Sequence, residues 1–231
     1  RATWGVEGMS WDEWAPVVAR YLGQVSLLDA QMGRVLDALD QLGIAENTLV
    51  IYSADHGDVC GSHGMVDKHY IMYDDVVRVP LLMRWPGVIG QGTVVDDFVS
   101  NAVDLPATLV EAAGGERPDS FQGESLLGPA CGSAALDRQD IFSMYSGNQF
   151  GSFTQRMVRN RRHKYVWNAT AVDELYDLDA DPGELCNLVA DPQHAPVLAS
   201  MRLRLVDWME RTGDSMLNNW TRTQLVEGNV V

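Results

Sequence analysis

Apolar residues recur at helical spacing through the first part of the chain. Between residues 11 and 42, Val18, Leu22, Val25, Leu28, Met32, Val35, Leu36 and Leu39 fall on one face of a long amphipathic helix. Ser10 is a good N-cap with Asp12 and Glu13 in the first turn, Pro16 lies early enough to cost little, and Gly43 suits the position after the last turn. A Met and Leu stripe of this kind is expected to face a core. The pattern then changes. Residues 48–53 form a short continuous apolar run, as in a strand covered on both faces, and helix-then-strand order suggests a parallel α/β sheet.

Further strands are expected at 79–85, closed by the Pro86-Gly87 turn, and at 94–99. A short helix is expected at 104–113, with Asp104 near its cap, Pro106 in its first turn and Gly114-Gly115 as its stop. Residues 116–137 lack periodicity and are rich in Gly, Pro and Ser, which predicts a long surface loop. Beyond it, runs at 141–145, 155–159, 163–168 and 174–178 alternate with turn residues, the spacing of an antiparallel sheet. A last helix is predicted over 196–211, with Leu198, Met201, Leu205 and Trp208 on one face. The reading is an α/β domain over 1–137 and a small antiparallel-sheet-plus-helix module over 138–231.

Composition narrows the function. The 231 residues are 46% hydrophobic and 21% charged, an ordinary globular balance, and no apolar run is long enough to cross a bilayer. Asp and Glu outnumber Lys and Arg 32 to 17, for a formal net charge of −15. Such a surface repels nucleic acid and anionic membranes, so neither is expected as a partner. An anion binds here only where cations are concentrated locally, as a metal ion would do. Cys60, Cys131 and Cys186 give neither a disulfide framework nor a CxxC zinc site. Two glycosylation sequons, at Asn168 and Asn219, are about what chance supplies. The compartment is left open. The chain starts at Arg1 rather than Met, as expected of a fragment or processed product.

The sharpest local feature is Asp55-His56-Gly57 at the end of the first predicted strand, where ligands of open α/β sheets are bound. A carboxylate and an imidazole there can share a divalent cation. Carboxylates favour calcium or magnesium, and imidazole also admits zinc or manganese. The alternative is a turn cap beside a surface histidine. His63, Lys68 and His69 follow in a small-residue loop, and three cationic groups so close together could hold a tetrahedral oxyanion. The alternative is a mobile, solvated loop. Arg78, after Asp74-Asp75, reads as salt-bridged. Arg156, Arg159, Arg161, Arg162, His163 and Lys164 form a dense basic cluster, read as a solvated hairpin that could reach an anionic substrate. No G-x-S-x-G elbow and no glycine-rich phosphate loop is present.

In order, these segments resemble the second half of the sulfatases of the alkaline-phosphatase superfamily. The resemblance runs through residues 21–58 (YLGQVSLLDAQMGRVLDALDQLGIAENTLVIYSADHGD), Gly61-Ser62-His63-Gly64 to Lys68-His69, Arg78-Val79-Pro80-Leu81, Trp85-Pro86-Gly87 and residues 103–109 (VDLPATL). It continues through Glu174-Leu175-Tyr176-Asp177-Leu178, Asp181-Pro182-Gly183-Glu184 and Asn187-Leu188. It implies part of an alkaline-phosphatase-like sandwich, with a parallel or mixed sheet, followed by a small C-terminal subdomain. It also implies Asp55 and His56 as ligands of one divalent ion, usually calcium with magnesium or manganese possible, and Lys68 as the sulfate-binding lysine. His63 or His69 is implied, more loosely, to line the same pocket.

The family's nucleophile is a formylglycine made from Cys or Ser in C/S-x-P-x-R, whose hydrate attacks sulfur and releases the alcohol. No cysteine or serine here stands in that motif, and the family's first pair of metal-binding aspartates has no counterpart. The expectation is a chain that is inert alone and binds metal weakly. Its expected partners are a sulfate-ester small molecule or glycan, the N-terminal half of the enzyme, or a second copy of itself. A phosphate or phosphonate monoester hydrolase of the same superfamily, or a non-catalytic pseudo-sulfatase, are the competing readings.

Overall fold

Ser10 and Glu13 start the first element. In the computed structural model, which describes residues 6, 8–148 and 152–228, the Ser10 N–H and hydroxyl both donate to the Glu13 carboxylate at 2.8 Å. These bonds hold the Glu13 pKa below its ordinary value and open α1 (Trp11–Gln41). Gly43 adopts the left-handed φ of 67° that closes it. The stripe expected in a core is exposed: no residue of α1 is buried, and Leu22 is 56% accessible. The apolar spacing gave the helix correctly, but Leu22, Val25, Leu28 and Val35 of the stripe are exposed, while Val18, Met32, Leu36 and Leu39 are half-buried.

The described residues form two units. The first comprises the described residues of 1–68 and 74–137, the second those of 69–73 and 138–231.

In the first unit, β1 (Val50–Ser53) follows α1 and pairs antiparallel with β2 (Leu81–Arg84), in the register Val50 to Arg84 and Ser53 to Leu81. Helix-then-strand order suggested a parallel neighbour, and a continuous apolar run suggested burial on both faces. Instead β1 is half-buried and its partner is the next strand. The helical turn α2 (Asp74–Val77) lies between them in sequence. Residues 94–99 form no strand; Asp97 there accepts the Leu136 N–H at 3.0 Å.

Helix α3 (Asn101–Ala112) begins three residues earlier than expected, because Ser100 is its N-cap and Pro106 lies inside it. Asp104 is fully buried: one carboxylate oxygen accepts from Ser100 N at 2.7 Å, the other from Glu124 N at 2.9 Å. With Thr108 accepting from Leu126 N, it ties down residues 123–126, and a Cβ on Gly123 would overlap the Val103 carbonyl. The stretch read as a surface loop is therefore packed in part. It contains α4 (Leu127–Ala130) and buries Leu126, Pro129 and Leu136.

The second unit has an antiparallel sheet in the order β3 (Ile141–Asn148), β4 (Ser152–Arg159), β5 (His163–Asn168), β6 (Glu174–Asp177). Val158, Tyr165, Trp167 and Leu175 pack on Met201, Leu205, Val206 and Met209 of α5 (Ala195–Arg211) and on Leu225 of α6 (Asn219–Glu227). Trp208 stacks on Phe142 at 4.9 Å. The basic cluster is a solvated hairpin only at its turn, where Arg161 and Arg162 are exposed between β4 and β5. Arg156 is 2% exposed and ion-paired to Asp214, Lys164 is fully buried against Glu184, and Arg162 pairs with Asp177. Hydrophobic neighbours and carboxylates from distant segments, which the local sequence hides, convert Arg156 and Lys164 into core pairs. Asn168 is also buried, its amide donating to Val172 O at 2.9 Å, which ties up the acceptor nitrogen of the first sequon. No helix among the described residues is long and apolar enough to cross a membrane.

Candidate functional site

The end of β1 is held from two sides. Ser53 Oγ donates to Pro80 O at 2.9 Å, and Asn101, first residue of α3, donates its amide to Ala54 O at 2.7 Å. Asp55 and His56 follow directly. Gly57 donates to Val76 O at 2.8 Å in α2, and a Cβ on it would overlap the Asp75 carbonyl. Only glycine allows the chain to run this close to another backbone, so the dipeptide's orientation depends on it.

The imidazole of His56 is oriented through Nδ1, which lies 2.8 Å from Gly57 O. Nδ1 therefore carries the proton and Nε2 presents a lone pair, the arrangement found in metal-ligating histidines. Lys68 Nζ lies 2.6 Å from that Nε2, and Asp55 Oδ2 lies 3.4 Å from it. The Asp55 side chain is 87% accessible and that of His56 35%, so the group is open to solvent. Two donors at right angles on a calcium ion, each about 2.4 Å away, would be about 3.4 Å apart. The spacing of Asp55 Oδ2 and His56 Nε2 fits one shared cation. The fit is partial, because calcium takes six to eight oxygen ligands and no set of three or more His, Cys, Asp or Glu ligands is grouped among the described residues.

The loop that returns to Lys68 is ordered by its own backbone. Val59 is 2% exposed and donates to Asp67 O at 3.2 Å, Cys60 N donates to Asp58 Oδ1 at 2.7 Å, and Gly61 N donates to Met65 O at 2.9 Å. Burial, aided by Asp58, pushes the Cys60 thiol pKa up, which disfavours a reactive thiolate. Cys60, His63, Asp67 and His69 all have left-handed φ, at 41°, 56°, 66° and 40°. Each such non-glycine residue costs on the order of 1 kcal/mol, and clusters of them occur where side chains are held for a purpose. Lys68 sits between two of them.

Of the residues singled out in the sequence, Asp55, His56 and Lys68 are brought together. His63 is half-buried on the 3-10 turn Ser62–Gly64 of the same loop. His69 is buried in the second unit, edge-on to Tyr70 at 6.4 Å. Sequence reasoning missed two positioning residues. Gly57 was signalled by the motif itself. Asn101 had no local signal, since its amide acts across 47 positions.

The sequence matches the family described as Sulfatase over residues 4–115 and the one described as N-sulphoglucosamine sulphohydrolase, C-terminal, over residues 61–211. The chain belongs to the sulfatase family. It is 36% identical over 198 residues to the uncharacterized sulfatase YidJ of Escherichia coli (strain K12), covering 84% of this chain and 38% of that protein. It is 33% identical over 201 residues to the Delta 4,5-hexuronate-2-O-sulfatase of Bacteroides thetaiotaomicron, covering 85% and 42%. Its fold matches the crystal structure of a phosphonate monoester hydrolase of Agrobacterium radiobacter with a TM-score of 0.81 at 29% identity, over 89% of this chain and 43% of that one. The α/β fold is thus that of the alkaline-phosphatase superfamily, with a small C-terminal antiparallel sheet. The chain spans 38% and 42% of the length of the two curated sulfatases it matches.

Proposed function

We propose that this chain contributes the metal-proximal and sulfate-binding side of a sulfuric ester hydrolase. Asp55 and His56 are two ligands of a divalent cation, most consistent with calcium, and Lys68 receives the sulfate group. The convergence of Asp55 Oδ2, His56 Nε2 and Lys68 Nζ carries the reading. A bound cation would polarise sulfate oxygens as a Lewis acid. Its remaining ligands, and the formylglycine of C/S-x-P-x-R, come from residues other than these 231, so the chain alone is catalytically inert.

The lone pair of His56 Nε2 cannot serve Lys68 and a cation together. A cation held at Nε2 would leave the three donors of the Lys68 ammonium to sulfate oxygens. The same three residues argue against a non-catalytic relative. His63, on the loop that returns to Lys68, stays in the reading as a residue lining the anion's side of the site. The substrate is a sulfate ester, small or glycan.

Turnover of an aryl sulfate by an enzyme containing this chain and the C/S-x-P-x-R segment tests the assignment. Lys68→Ala and Asp55→Asn are expected to remove it; full activity in either variant would refute the reading. Likeness to the phosphonate monoester hydrolase favours a second reading, hydrolysis of a phosphate or phosphonate ester at the same site. Faster turnover of the matching aryl phosphate would establish it.

A further inference from the structure

The loop between His56 and Lys68 closes on itself. Val59 N–H donates to Asp67 O and Gly61 N–H to Met65 O, while Ser62 N–H donates back to Val59 O at 2.7 Å and Gly64 N–H to Gly61 O at 3.0 Å. Lys68 follows directly, its N–H donating to the Asp67 carboxylate at 2.8 Å. Gly61 stands at the turn with a φ of 103°, which glycine adopts without strain. Cys60, His63 and Asp67, left-handed without being glycine, need something outside the loop to hold them.

Trp14 supplies such a contact from the amino end of α1. A Cβ on Gly61 would lie 3.4 Å from Trp14 Cη2 and Cζ3 and 3.6 Å from Cε3, so the six-membered ring of the indole closes the space into which a side chain there would project. The turn of helix that carries the ring is itself fixed: Trp14 N–H donates to Ser10 O at 3.0 Å, within the Ser10–Glu13 capping box. Trp14 is half-buried, whereas Trp11 on the same helix is 70% accessible. A flat, rigid side chain against the turn takes backbone freedom from a residue that, as glycine, has most to lose.

We propose that Trp14 is a positioning residue for the sulfate-binding lysine. Its indole holds Gly61, the Gly61–Met65 and Val59–Asp67 bonds carry that restraint to Asp67, and Lys68 is thereby kept within reach of His56 Nε2. Every residue in this chain of contacts lies in the first unit. This rests on reading Lys68 as the anion-binding group.

The test uses the 231-residue chain. In Trp14→Ala, the amides of Val59 and Gly61 are expected to exchange about tenfold faster while those of β1 stay protected. The His56 Nε2 nitrogen shift, which reports what its lone pair meets, is expected to move as Lys68 leaves it. Trp14→Phe keeps a ring over Gly61 and should restore both signals. Trp14→Leu, with apolar bulk but no flat face, should give the same changes as Trp14→Ala, smaller, and serves if that variant loses its fold. Trp11→Ala, which removes an exposed indole from the same helix, should give none. Folded Ala and Leu variants with unchanged loop amides, or with faster exchange but an unmoved His56 shift, would overturn the inference and leave Trp14 a purely structural residue; so would a Phe variant that restores neither signal. Titration of the unmodified chain with inorganic sulfate is a separate arm. No response at Lys68 there would overturn the sulfate-binding reading, whatever the loop does.

Discussion

Gly57 donates its backbone N–H to the Val76 carbonyl at 2.8 Å, in a contact that leaves no room for a side chain. Asp55 and His56 are aimed by this contact on one side and by the Asn101 amide on Ala54 O on the other.

Gly57→Ala is therefore expected to damage the site more than a surface substitution would. The added methyl meets backbone, not the end of a flexible side chain, so either Gly57 or α2 must shift. Overpacking of this kind costs about 1–3 kcal/mol. Thermal unfolding should show the loss, and the His56 and Lys68 resonances should move together. A variant with unchanged stability and unchanged His56 and Lys68 signals would mean that Gly57 does not set the dipeptide.

The elements that local pattern alone determines were legible. The long helix with its Ser10 and Gly43 ends, the four strands of the C-terminal sheet and the α5 face all follow from periodicity and caps. What failed depends on distant partners. The pairing of β1 with β2, the burial of Arg156 and Lys164, and the packing of residues 123–136 on Asp104 each join residues far apart in sequence, and no local window contains both. Asp55, His56 and Lys68 could be picked out because residue types carried the signal. The role of Asn101 could not, because its amide acts on a backbone carbonyl 47 positions away.

Acid should weaken the C-terminal unit through a small set of carboxylates. Hydrogen bonds from Arg162 hold Asp177 down to a pKa of about 2, against the ordinary 3.8, and Arg156 lowers that of Asp214. A depressed folded-state pKa stabilises the fold above the unfolded value, and the contribution is lost as pH falls through the folded one. Denaturant midpoints should thus be flat down to about pH 4 and fall towards pH 2. Arg162→Gln should remove much of the Asp177 contribution near neutrality and flatten the acid limb. An unchanged limb in that variant would place the acid sensitivity elsewhere.

Removing one partner of the Arg156–Asp214 pair should be among the costliest single changes in this unit. The two side chains are 3% and 8% accessible, and Arg156 Nε and Nη2 each bond a separate Asp214 oxygen, at 2.5 and 3.1 Å. Breaking a buried pair from one side costs about 3–5 kcal/mol, because the remaining charge is uncompensated. Asp214→Ala should lower stability by that amount in urea unfolding, while Arg156→Met with Asp214→Leu should recover a good part of it. Equal losses in the single and double variants would show that the geometry of β4 and of the turn after α5, and not the stranded charge, is what matters.

The stripe on α1 gives a test with the opposite sign. Leu22, Val25, Leu28 and Val35 are 56%, 49%, 48% and 52% accessible, and no residue of the helix is buried. Burying such a side chain is worth about 1.5–3 kcal/mol, so the isolated chain gains by covering the stripe with a second copy. The net charge of −15 opposes that association. Salt screens the repulsion, with a Debye length of about 10 Å at 0.1 M, and leaves the apolar gain intact. Association in sedimentation velocity should therefore strengthen as salt is added, the reverse of an electrostatic complex. Leu22→Lys with Leu28→Lys should abolish it without lowering the unfolding temperature, since neither residue packs in the monomer. A drop in unfolding temperature at concentrations where the chain is monomeric would instead mean that the stripe is covered within one copy.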